Sequence, residues 1–147
     1  MIVPALICGM VFTSCGSDRE EPKTDLQYVT TELGGCNVST ALRSSVSDTE
    51  EDAINITVSK DGVNVCVGLN YICKTVPFET QVEIIDDVVF MYLKDVGGDY
   101  NRCMCYYTFD FVFQWQGTLN QKYKIVLIDP REENHVVLSE GTIVENG

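Results

Sequence analysis

Cys103-Met104-Cys105-Tyr106-Tyr107-Thr108-Phe109-Asp110-Phe111-Val112-Phe113-Gln114-Trp115 decides the fold of this chain. Cys103, Cys105, Tyr107, Phe109, Phe111, Phe113 and Trp115 share one parity, while Met104, Tyr106, Thr108, Asp110, Val112 and Gln114 share the other. A period of two means a strand with one face turned to a core. Large aromatics at every second position suit a central strand packed on a facing sheet, each ring hiding roughly 150 Å² or more. A platform for stacking a cofactor or a carbohydrate is the rival reading. Core packing is preferred, because the stripe lies mid-chain among other strand signals.

Those signals extend in both directions. Ile54, Ile56 and Val58 alternate with Asn55, Thr57 and Ser59, and after Asp61-Gly62 the alternation resumes at Val63, Val65, Val67, Leu69 and Tyr71. Asp-Gly favours a two-residue type I′ hairpin, which would set Val58 against Val65, Ile56 against Val67 and Ile54 against Leu69. Asp86-Asp87 makes a similar turn that places Val82 and Ile84 opposite Met91 and Val89. Tyr123, Ile125 and Leu127 alternate up to the stop at Asp129-Pro130. Val136 to Leu138 and Thr142 to Val144 read as a last pair of short strands around Glu140-Gly141. No helical period occurs between them. The expected fold is all-β, an immunoglobulin-like antiparallel β-sandwich of about seven to eight strands.

The 147 residues suit one domain and a leader. Residues Ile2 to Phe12 form an uncharged apolar run followed by the small residues Thr13 and Ser14, which is the layout of a secretory signal. The run is too short to cross a bilayer as a helix, which needs about 20 residues. Phe12-Thr13-Ser14-Cys15 resembles a lipobox. That resemblance implies cleavage between Ser14 and Cys15, and a Cys15 carrying diacylglyceryl and further acyl chains such as palmitate. Two or more chains anchor a protein stably where one does not. The leader carries no Lys or Arg, and translation is expected to begin upstream. Gly16-Ser17-Asp18-Arg19-Glu20-Glu21 resembles the acidic export signal of surface lipoproteins of the Bacteroidota, which implies display on the outer membrane.

The expected organisation is therefore a signal peptide over 1–14, a lipidated Cys and polar tether over 15–52, and a β-sandwich over 53–147. The tether has room for one docked strand using Tyr28, Leu33, Cys36 or Leu42. Asn70-Tyr71-Ile72-Cys73, the hairpin to Leu93, Cys103-Met104-Cys105-Tyr106-Tyr107 and Tyr123-Lys124-Ile125 resemble a group of small Bacteroidota cell-surface lipoproteins of unassigned function. The resemblance covers roughly Val63 to Asp129. Members often carry further cysteines beside the positions of Cys73 and Cys103, and this chain lacks them.

Seven cysteines fall to five once Cys8 leaves with the signal and Cys15 is lipidated: Cys36, Cys66, Cys73, Cys103 and Cys105. In an exported protein, disulfides are the first expectation. Cys103 and Cys105 sit about 6.6 Å apart along one strand, where a direct bridge would be strained. A core bridge is expected from Cys73 to Cys103 or Cys105. Zn²⁺ held by Cys73, Cys103 and Cys105 lacks an evident fourth ligand, and a redox pair at Cys103 and Cys105 has only Arg102 as an adjacent cation.

The formal charge of −12 lies entirely beyond Cys15 and repels phosphate backbones, so no nucleic-acid role is expected. His135 sits in the polar turn after Arg131-Glu132-Glu133-Asn134, and the chain has no other His to serve as a catalytic base. Asp95-Val96-Gly97-Gly98-Asp99 offers oxygens to Ca²⁺ without EF-hand spacing. No catalytic residue, metal or cofactor is expected. The functional expectation is a non-enzymatic envelope module, held to the membrane by its lipid, that binds a protein or glycan partner. The alternative is a thiol-redox or metal-binding protein using Cys73, Cys103 and Cys105.

Overall fold

The computed structural model describes residues 25–37 and 52–145. The leader, the cleavage site at Ser14, the lipidation site at Cys15, and tether residues 16–24 and 38–51 lie outside the described residues. Eight strands follow one another: β1 (Asp25–Asn37), β2 (Ala53–Val58), β3 (Gly62–Lys74), β4 (Glu79–Ile85), β5 (Val88–Lys94), β6 (Tyr100–Gln116), β7 (Asn120–Ile128) and β8 (Val136–Val144). They form two four-stranded sheets, sheet A ordered β1-β6-β3-β2 and sheet B ordered β4-β5-β7-β8. The protein is an all-β sandwich of eight strands.

The aromatic stripe is its core. Cys105, Tyr107, Phe109, Phe111, Phe113 and Trp115 are all buried on β6. Their direct neighbours on β3 are the apolar set of matching parity: Val63 opposite Phe113, Val65 opposite Phe111, Val67 opposite Phe109 and Leu69 opposite Tyr107. Val89, Met91 and Leu93 of β5 and Ile125 and Leu127 of β7 close the core from the other sheet. The first residue of the stripe, Cys103, is exposed.

Most pairings are antiparallel, but β5 and β7 run parallel. The strand between them in sequence, β6, crosses to the opposite sheet. The chain therefore enters β5 and β7 from the same end. Their C-terminal ends lie side by side, and the ladder continues one step further through Asp95 N–H donating to Ile128 O at 2.9 Å.

The β4–β5 hairpin has the expected register, with Val82 opposite Met91 and Ile84 opposite Val89. Asp86 and Asp87 have φ of 50° and 62°, as a two-residue hairpin turn of the mirror-image type requires. The β2–β3 hairpin differs from its expected register. Val58 faces Val63, Ile56 faces Val65 and Ile54 faces Val67. The turn residues are Lys60 and Asp61, closed by Ser59 N–H on Gly62 O at 2.8 Å.

The reason lies on β6. Trp115 donates its backbone N–H to Asp61 O and its indole N–H to Ser59 O, so Gly62 serves as a strand residue opposite Gln114. Each partner moved by two positions, which leaves every side chain on its expected face.

Two further differences concern the ends. Glu140-Gly141 does not turn; β8 is one strand with a bulge at Leu138. Gly141 instead lies beneath the Tyr123 ring, and a β-carbon there would stand 3.2 Å from it. At the other end, the docked strand is the thirteen-residue β1, so the sandwich takes in Asp25–Asn37 as well as the residues from 53 onward. β1 is an edge strand that places Leu26 in the core and leaves Tyr28, Val29 and Leu33 exposed.

Candidate functional site

The chemistry-bearing side chains gather at one end of the sandwich, where β1 and β3 finish and β6 begins. The end of β3 is irregular. Its register against β6 shifts between Ile72 and Lys74. The extra residues are on β6, where Asn101, Arg102 and Cys103 stand against Cys73 alone, and Cys73 and Lys74, neighbours in sequence, both bury their side chains here. Two clusters result.

The first cluster is made of sulfur. Cys36 of β1, Cys73 of β3 and Cys103 and Cys105 of β6 converge from three neighbouring strands. Three pairs stand at bridging separation, with Cα–Cα distances of 5.0 Å for Cys36–Cys105, 5.4 Å for Cys73–Cys103 and 5.1 Å for Cys73–Cys105. All lie within the range of about 4.4–6.8 Å that disulfides span. A sulfur forms one such bond at a time, so the assignment that pairs all four is Cys36–Cys105 with Cys73–Cys103.

Cys73 and Cys105, in the middle of this row, are buried; Cys36 and Cys103, at its ends, are exposed. The thiol of Cys66 stands apart on the outer face of sheet A, opposite Asp110. Burial, and then its hydrogen bond to Asp110, push it up to about 11. At neutral pH it is a protonated and poor nucleophile.

The second cluster is ionic. Lys74 and Asp95 form an ion pair with both side chains fully buried. Asp95 also accepts hydrogen bonds from the hydroxyls of Tyr71 (2.8 Å) and Tyr100 (2.9 Å) and from Gly97 N–H (2.9 Å). Beside it, at the end of β7, Asp129 is gripped by Arg131 through Nε on one oxygen at 2.9 Å and Nη2 on the other at 2.6 Å. Arg131 Nη2 donates as well to the Tyr71 hydroxyl at 2.9 Å, joining the two ion pairs in one network.

Aromatic rings flank both cations of the network, the exposed Arg131 included. The Lys74 ammonium lies 4.4 Å from the centroid of Phe78, which packs edge-on against Tyr71, Tyr107 and Phe109. The Arg131 guanidinium lies 4.9 Å from the centroid of Tyr100.

Two positive and two negative charges cancel within this group. Burial works against the charge on Asp95, but donors from Lys74, Gly97, Tyr71 and Tyr100 outweigh it and hold the carboxyl below its usual value. The Arg131 fork holds Asp129 well below the usual carboxylate range. Burial first, and then the carboxylates of Asp129 and Asp95, raise the Tyr71 hydroxyl far above an ordinary phenol. These contacts favour the charged forms of Asp95, Asp129 and Arg131 and the neutral form of Tyr71. Among the described residues no buried side-chain nitrogen or oxygen lacks a partner. The network fixes the ends of β3, β5 and β7; it holds no spare base.

Sequence reasoning placed Cys73, Cys103 and Cys105 together, and the structure brings all three to one point. It passed over Cys36 as their partner, because two register shifts in β1, around Val29 and around Gly35, break the period by which a strand is read. Gly34-Gly35 directly before Cys36 is the signal that could have exposed the second shift. The loop weighed for Ca²⁺ has another use: Asp95 turns into the ion pair, and Asp99 O accepts Thr75 N–H at 3.0 Å. His135 is exposed.

A groove of ≈ 420 Å³ lies at the opposite end of sheet A, lined by Asp25, Gln27, Asp61, Gln114 and Trp115 among others. It contains neither His nor Cys. Compared with protein-family models, with curated proteins and with solved structures, the chain matches none.

Proposed function

We propose that this chain is an exported lipoprotein, anchored at the outer membrane through Cys15, whose sandwich is a non-enzymatic binding or accessory module for a protein or glycan partner. The observation that carries the reading is the convergence of Cys36, Cys73, Cys103 and Cys105 at bridging separation in a domain of this size. Disulfide frameworks of this kind persist in oxidising compartments and are rare in the cytosol. The apolar leader and the Ser14-Cys15 junction supply the route there. The saturated ion-pair network supports a structural use of the buried charges.

Expression in a lipoprotein-processing bacterial host with labelled palmitate tests the proposal. Label should enter the protein and the protein should sediment with membranes. Cys15→Ser should take up no label and accumulate uncleaved. Membrane association and normal processing of Cys15→Ser would overturn it.

One observation favours a second reading, a metal site, since the sulfurs of Cys36, Cys73 and Cys105 all lie within 4.8 Å of one another. Zn²⁺ would need these three as thiolates, with its fourth position open. Protein purified under air that keeps its melting temperature in chelator, with all four thiols blocked, excludes that reading. Loss of fold in chelator would establish it.

A further inference from the structure

We propose that the four cysteines form a thiol–disulfide exchange relay, whose substrate is an external dithiol and whose output is the release of β1 from its covalent tie to β6. The proposal stands on the arrangement of the sulfurs and holds whether or not Cys15 is lipidated.

The three bridging pairs share two atoms. Cys105 stands at bridging separation from both Cys36 and Cys73, and Cys73 from both Cys105 and Cys103. Two pairings are thus available without rearranging the strands: Cys36–Cys105 with Cys73–Cys103, or Cys73–Cys105 with Cys36 and Cys103 as thiols. They differ by two electrons and two protons. The ends of the row are exposed and its middle is buried, so an external thiol meets Cys36 or Cys103 and never Cys73 or Cys105 directly.

Exchange proceeds by attack of a thiolate on a disulfide sulfur. A dithiol reductant attacks Cys103 Sγ; its sulfur bonds to Cys103, the Cys73–Cys103 bond breaks, and the electron pair leaves on Cys73. Cys73 thiolate attacks Cys105 Sγ, the Cys73–Cys105 bond forms, and Cys36 departs as thiolate. The second sulfur of the dithiol then attacks the first, closing its own disulfide and releasing Cys103. The two protons of the dithiol end on Cys36 and Cys103. Attack at Cys36 runs the same sequence in reverse order and reaches the same product.

The product keeps β3 tied to β6, because Cys73–Cys105 replaces Cys73–Cys103. It loses the tie of β1 to β6. β1 contributes Leu26 to the core and exposes most of its other apolar residues. Without Cys36–Cys105 it is held mainly by the hydrogen bonds of an edge strand, at the point where the tether joins the domain. A reducing encounter at the surface becomes a loosened N-terminal strand.

The test uses the air-oxidised chain, one equivalent of dithiothreitol, an acid quench, alkylation, cyanogen bromide cleavage at Met104 to separate Cys103 from Cys105, and tryptic cleavage at Lys60 to separate Cys36 from Cys73. The relay requires that the one-bridge species contain Cys73–Cys105, with Cys36 and Cys103 alkylated and the Cys36–Cys105 peptide lost. A one-bridge species retaining Cys36–Cys105 or Cys73–Cys103 overturns it. Cys103→Ser gives a second reading without reductant. The relay then interconverts Cys36–Cys105 and Cys73–Cys105, so alkylation at pH 8 captures both Cys73 and Cys36. Capture of Cys73 alone, with Cys36–Cys105 intact throughout, refutes the exchange step.

Discussion

Replacing Asp95 with Asn removes one charge from the best-buried ion pair among the described residues and leaves its shape unchanged. In the native protein Asp95 receives four donors, from Lys74, Tyr71, Tyr100 and Gly97, and neither it nor Lys74 exposes any side-chain surface. An asparagine offers one acceptor oxygen and an NH₂ group that must face donors. The Lys74 ammonium stays buried with no counter-ion.

Breaking a buried pair by removing one partner costs about 3–5 kcal/mol, most of it the uncompensated charge left behind. For a domain of this size that lowers the melting temperature by roughly 10–20 °C. Urea unfolding of the oxidised protein measures the loss directly, and Lys74→Met supplies the control. If the cost is an orphaned ammonium, Lys74→Met/Asp95→Asn should be more stable than Asp95→Asn, with a coupling energy of about 2 kcal/mol. A loss below about 1 kcal/mol for Asp95→Asn, or additive costs in the double variant, would refute the reasoning that this pair is dry and mutually dependent.

Acid stability should follow the same network. Asp95 and Asp129 have folded values below their unfolded ones, so their contribution is fully present above about pH 4 and fades as pH falls through the folded values. Urea midpoints from pH 7 down to acid should hold steady and then fall, and Asp129→Asn should flatten the acid limb. Cys36–Cys105 spans 69 residues and Cys73–Cys103 spans 30. By loop-closure entropy, replacing the first pair with serines should cost about 4 kcal/mol and the second about 3.5 kcal/mol, read as shifts in unfolding midpoint. The turn at Asp86-Asp87 holds two non-glycine residues at positive φ. Asn-Gly there should stabilise the β4–β5 hairpin by roughly 0.5–1 kcal/mol, and a lower melting temperature would show that the Asp side chains matter more than their backbone strain.

Much of the fold was legible because the core alternates over long runs. Seven of the thirteen residues from Cys103 to Trp115 keep one parity, and no other secondary structure hides large aromatics on such a period. The β4–β5 register was legible because the turn and the apolar pattern agree. At β2–β3 they also agreed, yet Trp115 bonds to Asp61 and Ser59 and draws Gly62 into the sheet. Local turn preference yielded to a contact from a strand more than fifty residues away. Glu140-Gly141 shows the converse, a turn-like dipeptide whose glycine makes room for Tyr123.

The candidate site was less legible, and for one reason. Bulges at Ile72–Lys74 and near Gly35 break the period at the positions where Lys74 and Cys36 turn toward their partners. Pattern reading locates faces only while the pattern lasts.

The chain is proposed to be an exported lipoprotein whose clustered cysteines are oxidised in pairs. Mass spectrometry of unreduced protein from the host envelope, alkylated in acid and cleaved at Lys60 and Met104, tests it most directly. The account predicts an N-terminal peptide that begins at lipid-bearing Cys15, cross-linked peptides joining Cys36 to Cys105 and Cys73 to Cys103, and Cys66 as the remaining thiol. An unmodified Cys15 inside an uncleaved leader, with Cys73 and Cys103 both alkylated, would contradict it.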